Sequence, residues 1–297
     1  MSRKRQDRPV ARRTEEDLLV RTYAVTHPSG LDIAPHSHDW DQLAYASRGV
    51  MSVHTSEGSW VIPPHRAVWI PRGTVHGVEM AGRVSLRTLY FAADFARGLP
   101  RHCQAVNDSP LLRELILRVA RVGLLWRNEP AQARMARVIL DQLQMLPQVP
   151  LQLPAPRDPR ARRAIELLRN AAIERLSLAE AARRAGASKR TLERLFRSET
   201  HMTLGRWRQR LRFVQALRLL AGGQAVTAVA AEVGYQSPSA FVSAFRRQLG
   251  TTPGRYFRGD RADLEGISAP AVSVSGAAGG SSRARARSRA AAIPTGP

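Results

Sequence analysis

At 297 residues and 43% hydrophobic composition, the chain is long enough for two domains with ordinary cores. A net charge of +22, from 46 basic and 24 acidic side chains, favours a polyanionic partner, although a GC-rich genome would equally favour the arginine that dominates it. The single cysteine, Cys103, excludes an intramolecular disulfide and argues against a thiolate zinc site, and no run reaches the roughly 18 apolar residues of a membrane span.

Residues 1–16 are polar and basic and lack the apolar stretch of a secretory signal, so a disordered arm and a cytoplasmic location are expected. Residues 18–92 carry short β-type runs broken by Gly and Pro: Gln42 to Ala46, Val50 to His54, Ser59 to Ile62, Ala67 to Ile70 and Val84 to Phe91. That spacing predicts a small all-β barrel or sandwich. From Ser109 the apolar period becomes helical, with Ser109 as cap, Pro110 at the first position and Leu111, Leu112, Leu115, Ile116, Val119 and Val122 on one face. A second helix is expected from Ala131 to Met145, carrying Met135, Val138, Ile139, Gln142 and Leu146. The pair would either form a homodimer interface or pack on their own barrel. Five prolines between Pro147 and Pro159 mark a linker. The expected organisation is an arm (1–16), a sensing and dimerising domain (17–146), the linker (147–159), an all-α module (160–259) and an aperiodic Arg/Ala/Gly/Ser tail (260–297).

The all-α module repeats one device about 48 residues apart. Leu178-Ala-Glu-Ala-Ala182-Arg-Arg-Ala-Gly186-Ala-Ser188 leads into a helix carrying Leu192 and Phe196, and Val226-Thr-Ala-Val-Ala230-Ala-Glu-Val-Gly234-Tyr-Gln-Ser237 leads into one carrying Phe241 and Phe245. In each copy an Ala lets two helices approach, a Gly accepts the positive φ of a sharp turn, and a Ser caps the second helix. This is a helix-turn-helix pattern, whose second helix enters the DNA major groove. Between Asp158 and Asp260 there are 20 basic and 8 acidic residues, a net of +12. A solvated helical face is the ordinary fate of surface arginines; two turns in register with this local charge favour DNA contact.

In the first copy the outward residues are Ser188, Lys189, Arg190, Glu193, Arg194 and Arg197. Arg190 and Arg194 could each fork onto guanine, and Glu193 could accept from cytosine. The second copy presents Ser237, Ser239, Ser243, Arg246 and Arg247, a set better suited to phosphate. A helix capped by Thr203, with Leu204, Trp207, Leu211, Val214 and Leu217 inward, would hold the readers about 34 Å apart on one DNA face.

The segment Val229-Ala-Ala-Glu-Val-Gly-Tyr235-Gln-Ser-Pro-Ser-Ala-Phe241-x3-Phe245-Arg-x3-Gly250-Thr-Thr-Pro253-x2-Tyr256 resembles the signature of the AraC/XylS family of bacterial transcription regulators, over about Ala161 to Arg258. The resemblance implies a seven-helix module that binds an asymmetric site on double-stranded DNA and contacts RNA polymerase. It places base reading on Arg190, Glu193, Arg194, Ser239 and Ser243, with Pro238 where many members carry a longer polar side chain. Upstream, His36-x-His38-x3-Gln42-x6-Gly49 and Pro71-x-Gly73-x2-His76 resemble the two cupin motifs, with Gln42 in place of the usual Glu.

On a regular strand His36, His38 and Gln42 share a face, and His76 could complete a pocket inside the barrel. Imidazoles with one oxygen suit zinc, nickel, iron or copper, but loss of the carboxylate weakens divalent binding. The expected effector is therefore a divalent metal or a small organic molecule, with no other cofactor. The run Gly58 to Pro71, with Leu151 to Pro159, further resembles a subgroup that includes a regulator of nitroimidazole efflux. Trp40, Tyr45, Trp60 and Trp69 either line a flat pocket or form barrel core. A cupin enzyme fused to a nucleic-acid module is the alternative, which Gln42 disfavours.

Overall fold

The computed structural model describes residues 14–145, 152–170 and 176–258. The basic arm, the arginine-rich tail and the start of the proline-rich segment lie outside them.

After a 3-10 turn at Glu15–Asp17 come β1 (Leu18–His27), β2 (Asp32–His36), β3 (Asp41–Thr55), β4 (Gly58–Ile62), β5 (Arg66–Ile70), β6 (His76–Phe91) and β7 (Gln104–Asn107). Then follow α1 (Pro110–Val122), β8 (Leu124–Trp126), α2 (Pro130–Met145) and β9 (Gln152–Pro154). The long strands β3 and β6 pair antiparallel along most of their length, with register shifts between Ala46 and Val50. Below the shift β3 also pairs with β5 and β6 with β1; beyond it they pair with β4 and β2. The bent β3–β6 pair thus belongs to two half-sheets, whose facing side chains enclose an apolar interior of Ala44, Met51, Val53, Ile62, Ile70, Met80 and Leu86. That is the architecture of a small barrel. The short runs Gln42 to Ala46 and Val50 to His54 are therefore one bulged strand rather than two.

Trp60, Trp69 and Tyr45 are fully buried core, not pocket lining, and Trp40 lies under the Arg21 guanidinium, 4.7 Å from its ring centre. The outer face of the sheet packs on α1 and α2 through Leu112, Ile116, Val119, Ala136, Ile139, Leu140 and Leu143. Ser109 caps α1, accepting from the Leu112 N–H at 3.0 Å, with Pro110 at the first position as expected. The apolar stripes are wider than this contact: Leu111, Val122, Val138 and Met145 are exposed, Leu111 at 52% and Met145 at 77%. For α2 the buried face is one residue out of step with the expected one, because small Ala136 lets the helix seat closely and turns Val138 outward.

Nor is the whole proline-rich segment a free connector. Gln152–Pro154 adds to β4 as an edge strand, and Leu153 enters the core of the helical module. That module comprises α3 (Pro159–Asn170), α4 (Leu178–Arg184), α5 (Lys189–Thr200), α6 (Leu204–Ala221), α7 (Val226–Glu232), α8 (Pro238–Leu249) and α9 (Pro253–Arg258). The chain is therefore an N-terminal sheet domain with two helices, followed by a helical module with a repeated turn.

The central helix α6 buries residues on nearly every side, Phe213 among them. One side holds the two repeats. The other meets the barrel, so that Val50 and Val61 of the sheet belong to the same apolar cluster as Trp207 and Leu217. At this seam the Trp207 indole N–H donates to the Pro154 carbonyl at 3.1 Å, Arg210 to that of Gln152 at 2.8 Å, and the Tyr256 hydroxyl to that of Pro64. No described helix is long and apolar enough to cross a membrane.

Candidate functional site

The two turns are closed by the same backbone bonds. After α4 the Ala187 N–H reaches the Ala182 carbonyl at 2.9 Å, and after α7 the Tyr235 N–H reaches that of Ala230 at 2.9 Å. Such closure requires a left-handed residue just past the helix, supplied by Gly186 (φ +77°) and Gly234 (φ +79°). Ala182 and Ala230 are buried at the helix crossings. Ser188 then caps α5, accepting from Thr191 N–H at 3.0 Å, and Ser237 caps α8, accepting from Ala240 N–H at 3.2 Å. Leu192 and Phe196 pin α5, with Phe196 edge-on to Trp207 at 5.8 Å; Phe241 and Phe245 pin α8.

Anchoring one side of each helix fixes what the other presents. Lys189, Arg190, Glu193, Arg194 and Arg197 are exposed on α5, as are Ser239, Ser243, Arg246 and Arg247 on α8. Capping ties up the hydroxyls of Ser188 and Ser237, so their contribution to a partner is first of all to orient the helix. Lys189 and Glu193 form a loose pair at 3.8 Å that solvent screens. Arg190, Glu193, Arg194 and Arg197 line a groove of about 660 Å³ shared with Thr203 and Gly205 at the start of α6. Two features of this unit escaped the sequence reading. Phe213, on the side of α6 expected to be polar, packs on Phe245 with ring centres 5.6 Å apart. Ser177 caps α4 by accepting from Glu180 N–H at 3.1 Å, which the Ser-x-x-Glu spacing could have revealed.

In the barrel, His36, His38, Gln42 and His76 come together, but not on one regular strand. The strand β2 ends at His36; His38 sits in the bend before β3, and Gln42 lies on β3. His36 and His76 are direct cross-strand partners, and the Gly73 N–H donates to the His38 carbonyl at 2.9 Å, tying the Pro71-Arg-Gly73 turn to that bend. Ring centres lie 4.4 Å apart for His36 and His76 and 5.2 Å for His38 and His76.

The donor set does not fit a resident metal. His38 Nδ1 lies 2.6 Å from the Trp40 carbonyl and its Nε2 2.9 Å from the Gln42 side-chain amide. Nε2 faces the Gln42 Oε1 and Nδ1 the Trp40 carbonyl, so both ring nitrogens are engaged by oxygens of the chain and neither is turned toward an ion. Among the described residues no group of three His, Cys, Asp or Glu is placed to hold a metal. The replacement of Glu by Gln explains why: a carboxylate would share the ion, whereas an amide occupies the ring that should bind it. His76 stands apart. It is 1% exposed, its Nδ1 donates to the Thr74 carbonyl at 2.9 Å, and its Nε2 has no partner. Burial, ahead of the other influences, drives its pKa down to about 4. The interior cavity beside these residues measures about 20 Å³, room for roughly one water.

A second polar group lies at the seam between the domains. The Arg218 guanidinium of α6 pairs with Glu79 of β6. His54 Nε2 reaches the same carboxylate at 3.2 Å, and its Nδ1 lies 2.8 Å from the Ser59 hydroxyl, to which Arg169 of α3 donates at 2.9 Å. Burial first, then the charges of Arg169 and Arg218, push the His54 pKa down to about 4. Its neutral ring therefore links Arg169, through Ser59, to the carboxylate that Arg218 binds directly.

Residues 21–199 match the model of an AraC-like ligand binding domain, and residues 181–259 that of a helix-turn-helix domain. The chain belongs to the AraC family of transcriptional regulators. The HTH-type transcriptional regulator NimR of Escherichia coli is 36% identical to this regulator over 221 residues, 74% of this chain and 81% of that protein. The regulatory protein SoxS of Escherichia coli is 38% identical over 82 residues, 27% of this chain and 77% of its own. Among solved structures, the DNA-binding domain of AdpA, a global transcriptional factor in complex with a target DNA, is 35% identical over 37% of this chain and 99% of that one, with a TM-score of 0.33. This regulator thus joins a ligand-binding domain to a helix-turn-helix DNA-binding domain, and its relatives are transcriptional regulators.

Proposed function

We propose that the regulator reads an asymmetric promoter site, with α5 supplying base discrimination and α8 mainly backbone contacts. The observation that carries this reading is the exposed pair Arg190 and Arg194, four residues apart on a helix fixed by Leu192 and Phe196. Guanidinium groups one turn apart can each fork onto a guanine, and Glu193 between them accepts from cytosine or repels other bases. The second reader carries short hydroxyls at Ser239 and Ser243 with Arg246 and Arg247 behind, a set that holds phosphates and follows groove shape.

In this reading the sheet domain is a sensor rather than a catalyst. An engaged His38 and a neutral Gln42 do not offer the ligand set of a cupin-like metal enzyme. The effector is a small organic molecule. The regulator acts in the cytoplasm beside RNA polymerase, and it dimerises through the apolar strip of Leu111, Val122, Val138 and Met145 left exposed on α1 and α2. Selection from random duplexes at fixed salt tests the DNA reading. It should return an unsymmetrical motif with a strongly specified block and a weak block about 10 base pairs apart. A single block, or no enrichment, would refute it. Leu111→Asp with Val138→Asp should yield monomers in sedimentation, and an unchanged sedimentation coefficient would refute the dimer face.

A further inference from the structure

The barrel interior is too small for an organic effector, yet a cleft of about 760 Å³ opens just outside it, within the usual range of ligand sites. It lies between the β2–β6 edge, the β3–β4 turn and the segment 101–103. Its apolar wall includes Ile33, Val78 and Val75, the last 60% exposed. Three carboxylates face it, those of Asp32, Glu57 and Glu79, against the single guanidinium of Arg101. This is an acidic hollow on a chain of net charge +22. Two further observations mark it as more than a cluster of acids. His76, 1% exposed, stands in the wall between this cleft and the barrel cavity, and its buried Nε2 has no partner. Glu79, on the cleft wall, is also the carboxylate on which Arg218 and His54 converge from the domain seam.

We propose that this cleft is the effector site, and that its ligand is a small organic cation, an amine or amidine on an apolar body, which competes with Arg218 for Glu79. The inference rests on reading the sheet domain as the ligand-binding half and adds where the ligand sits, its charge and how it signals. A cation at Glu79 substitutes for the guanidinium, frees Arg218 and loosens α6, the helix that carries both readers. An uncharged ligand of the same shape would fill the apolar wall without releasing the arginine. An anion would meet the carboxylates directly, and like charge disfavours it.

On the intact chain, benzylamine and benzamidine are titrated by calorimetry beside their neutral and anionic counterparts, benzyl alcohol, benzamide and benzoate. Anisotropy of a labelled cognate duplex is read in parallel. Both cations should bind at least tenfold more tightly than the neutral compounds, with no heat from benzoate. Asp32→Asn with Glu57→Gln, both exposed positions, should weaken the cations about tenfold. The cations should change DNA affinity in the wild type but not in Glu79→Gln, where the bridge to Arg218 is already absent. Equal binding of the neutral compounds, absence of cation binding, or undiminished binding in the double variant would overturn the proposal. Because the free chain's DNA affinity is measured separately, failure of the cleft leaves a specific DNA reader intact, whereas failure of the reader appears without any cation added.

Discussion

Gly82 lies within β6, at the register shift against β3, where the sheet meets the end of α6. Its φ is +71°, and a Cβ there would lie 2.8 Å from the Ala221 carbonyl carbon and 3.2 Å from the Ala221 side chain. Gly82→Ala therefore carries two separate costs. The left-handed backbone costs an L-residue about 1–2 kcal/mol. Forcing Ala221 away should cost about 1–3 kcal/mol more, because the backbone of a packed helix end cannot swing aside like a long side chain. Gly30→Ala isolates the first cost: its φ is +79° and nothing lies within 4 Å of the added carbon. Denaturant unfolding of both variants measures the difference, and protease cleavage near residues 147–158 reports whether the seam has opened. Gly82→Ala should be less stable than Gly30→Ala by about 1–3 kcal/mol and be cut faster. If the two variants match within about 0.5 kcal/mol and are cut alike, the sheet is not seated on α6 as described.

Other consequences follow from the same contacts. Ser188→Ala and Ser237→Ala each remove a capping acceptor and should cost about 1 kcal/mol by denaturant titration, with no change if the caps are incidental. A fragment beginning at Gln152 should be more stable by about 3 kcal/mol than one beginning at Asp158, because only the first keeps Leu153 in the core and the carbonyls that bind Trp207 and Arg210. Equal unfolding midpoints would contradict that. Acid should weaken the fold before ordinary carboxylates titrate. His54 and His76 stay neutral down to about pH 4 when folded but take up a proton near 6.5 when unfolded, so stability is full above 6.5 and falls toward 4. For buried His76 the loss is about 3 kcal/mol and for half-exposed His54 less; a midpoint that is flat between pH 7 and 4.5 would refute it.

How far the sequence revealed this molecule depends on whether the controlling interaction is local. The repeated Ala, Gly and Ser of the two turns act within a few residues, so helix ends, caps and the outward faces of α5 and α8 were all readable. Pro110 and Ser109 marked the start of α1 for the same reason. Long-range matters were not readable. Nothing near Gln152 indicates a strand, because β9 exists only by pairing with β4, almost a hundred residues earlier. Phe213 is buried by Phe245 of the second repeat, a contact between helices that the period of α6 alone does not announce.

The histidine motif shows both sides. Its spacing marked His36, His38, Gln42 and His76 as neighbours, but a regular strand was assumed where the chain bends at Asp39 and Trp40. That bend lets Gln42 occupy His38 and removes the metal expectation. The pair of Arg218 and Glu79 is 139 residues apart, and no local pattern announces it.

Base discrimination by α5 is tested most directly by the base preference of its variants. Binding constants for every single-base change in a cognate duplex are measured for wild type, Arg190→Ala, Arg194→Ala and Arg246→Ala at several salt concentrations. Each α5 variant should lose about 1–3 kcal/mol and become indifferent to base identity at one or two positions. Arg246→Ala should weaken all sequences alike and lower the salt dependence by about one phosphate contact. Unaltered base preference in both α5 variants, or lost preference confined to Arg246→Ala, would contradict the claim.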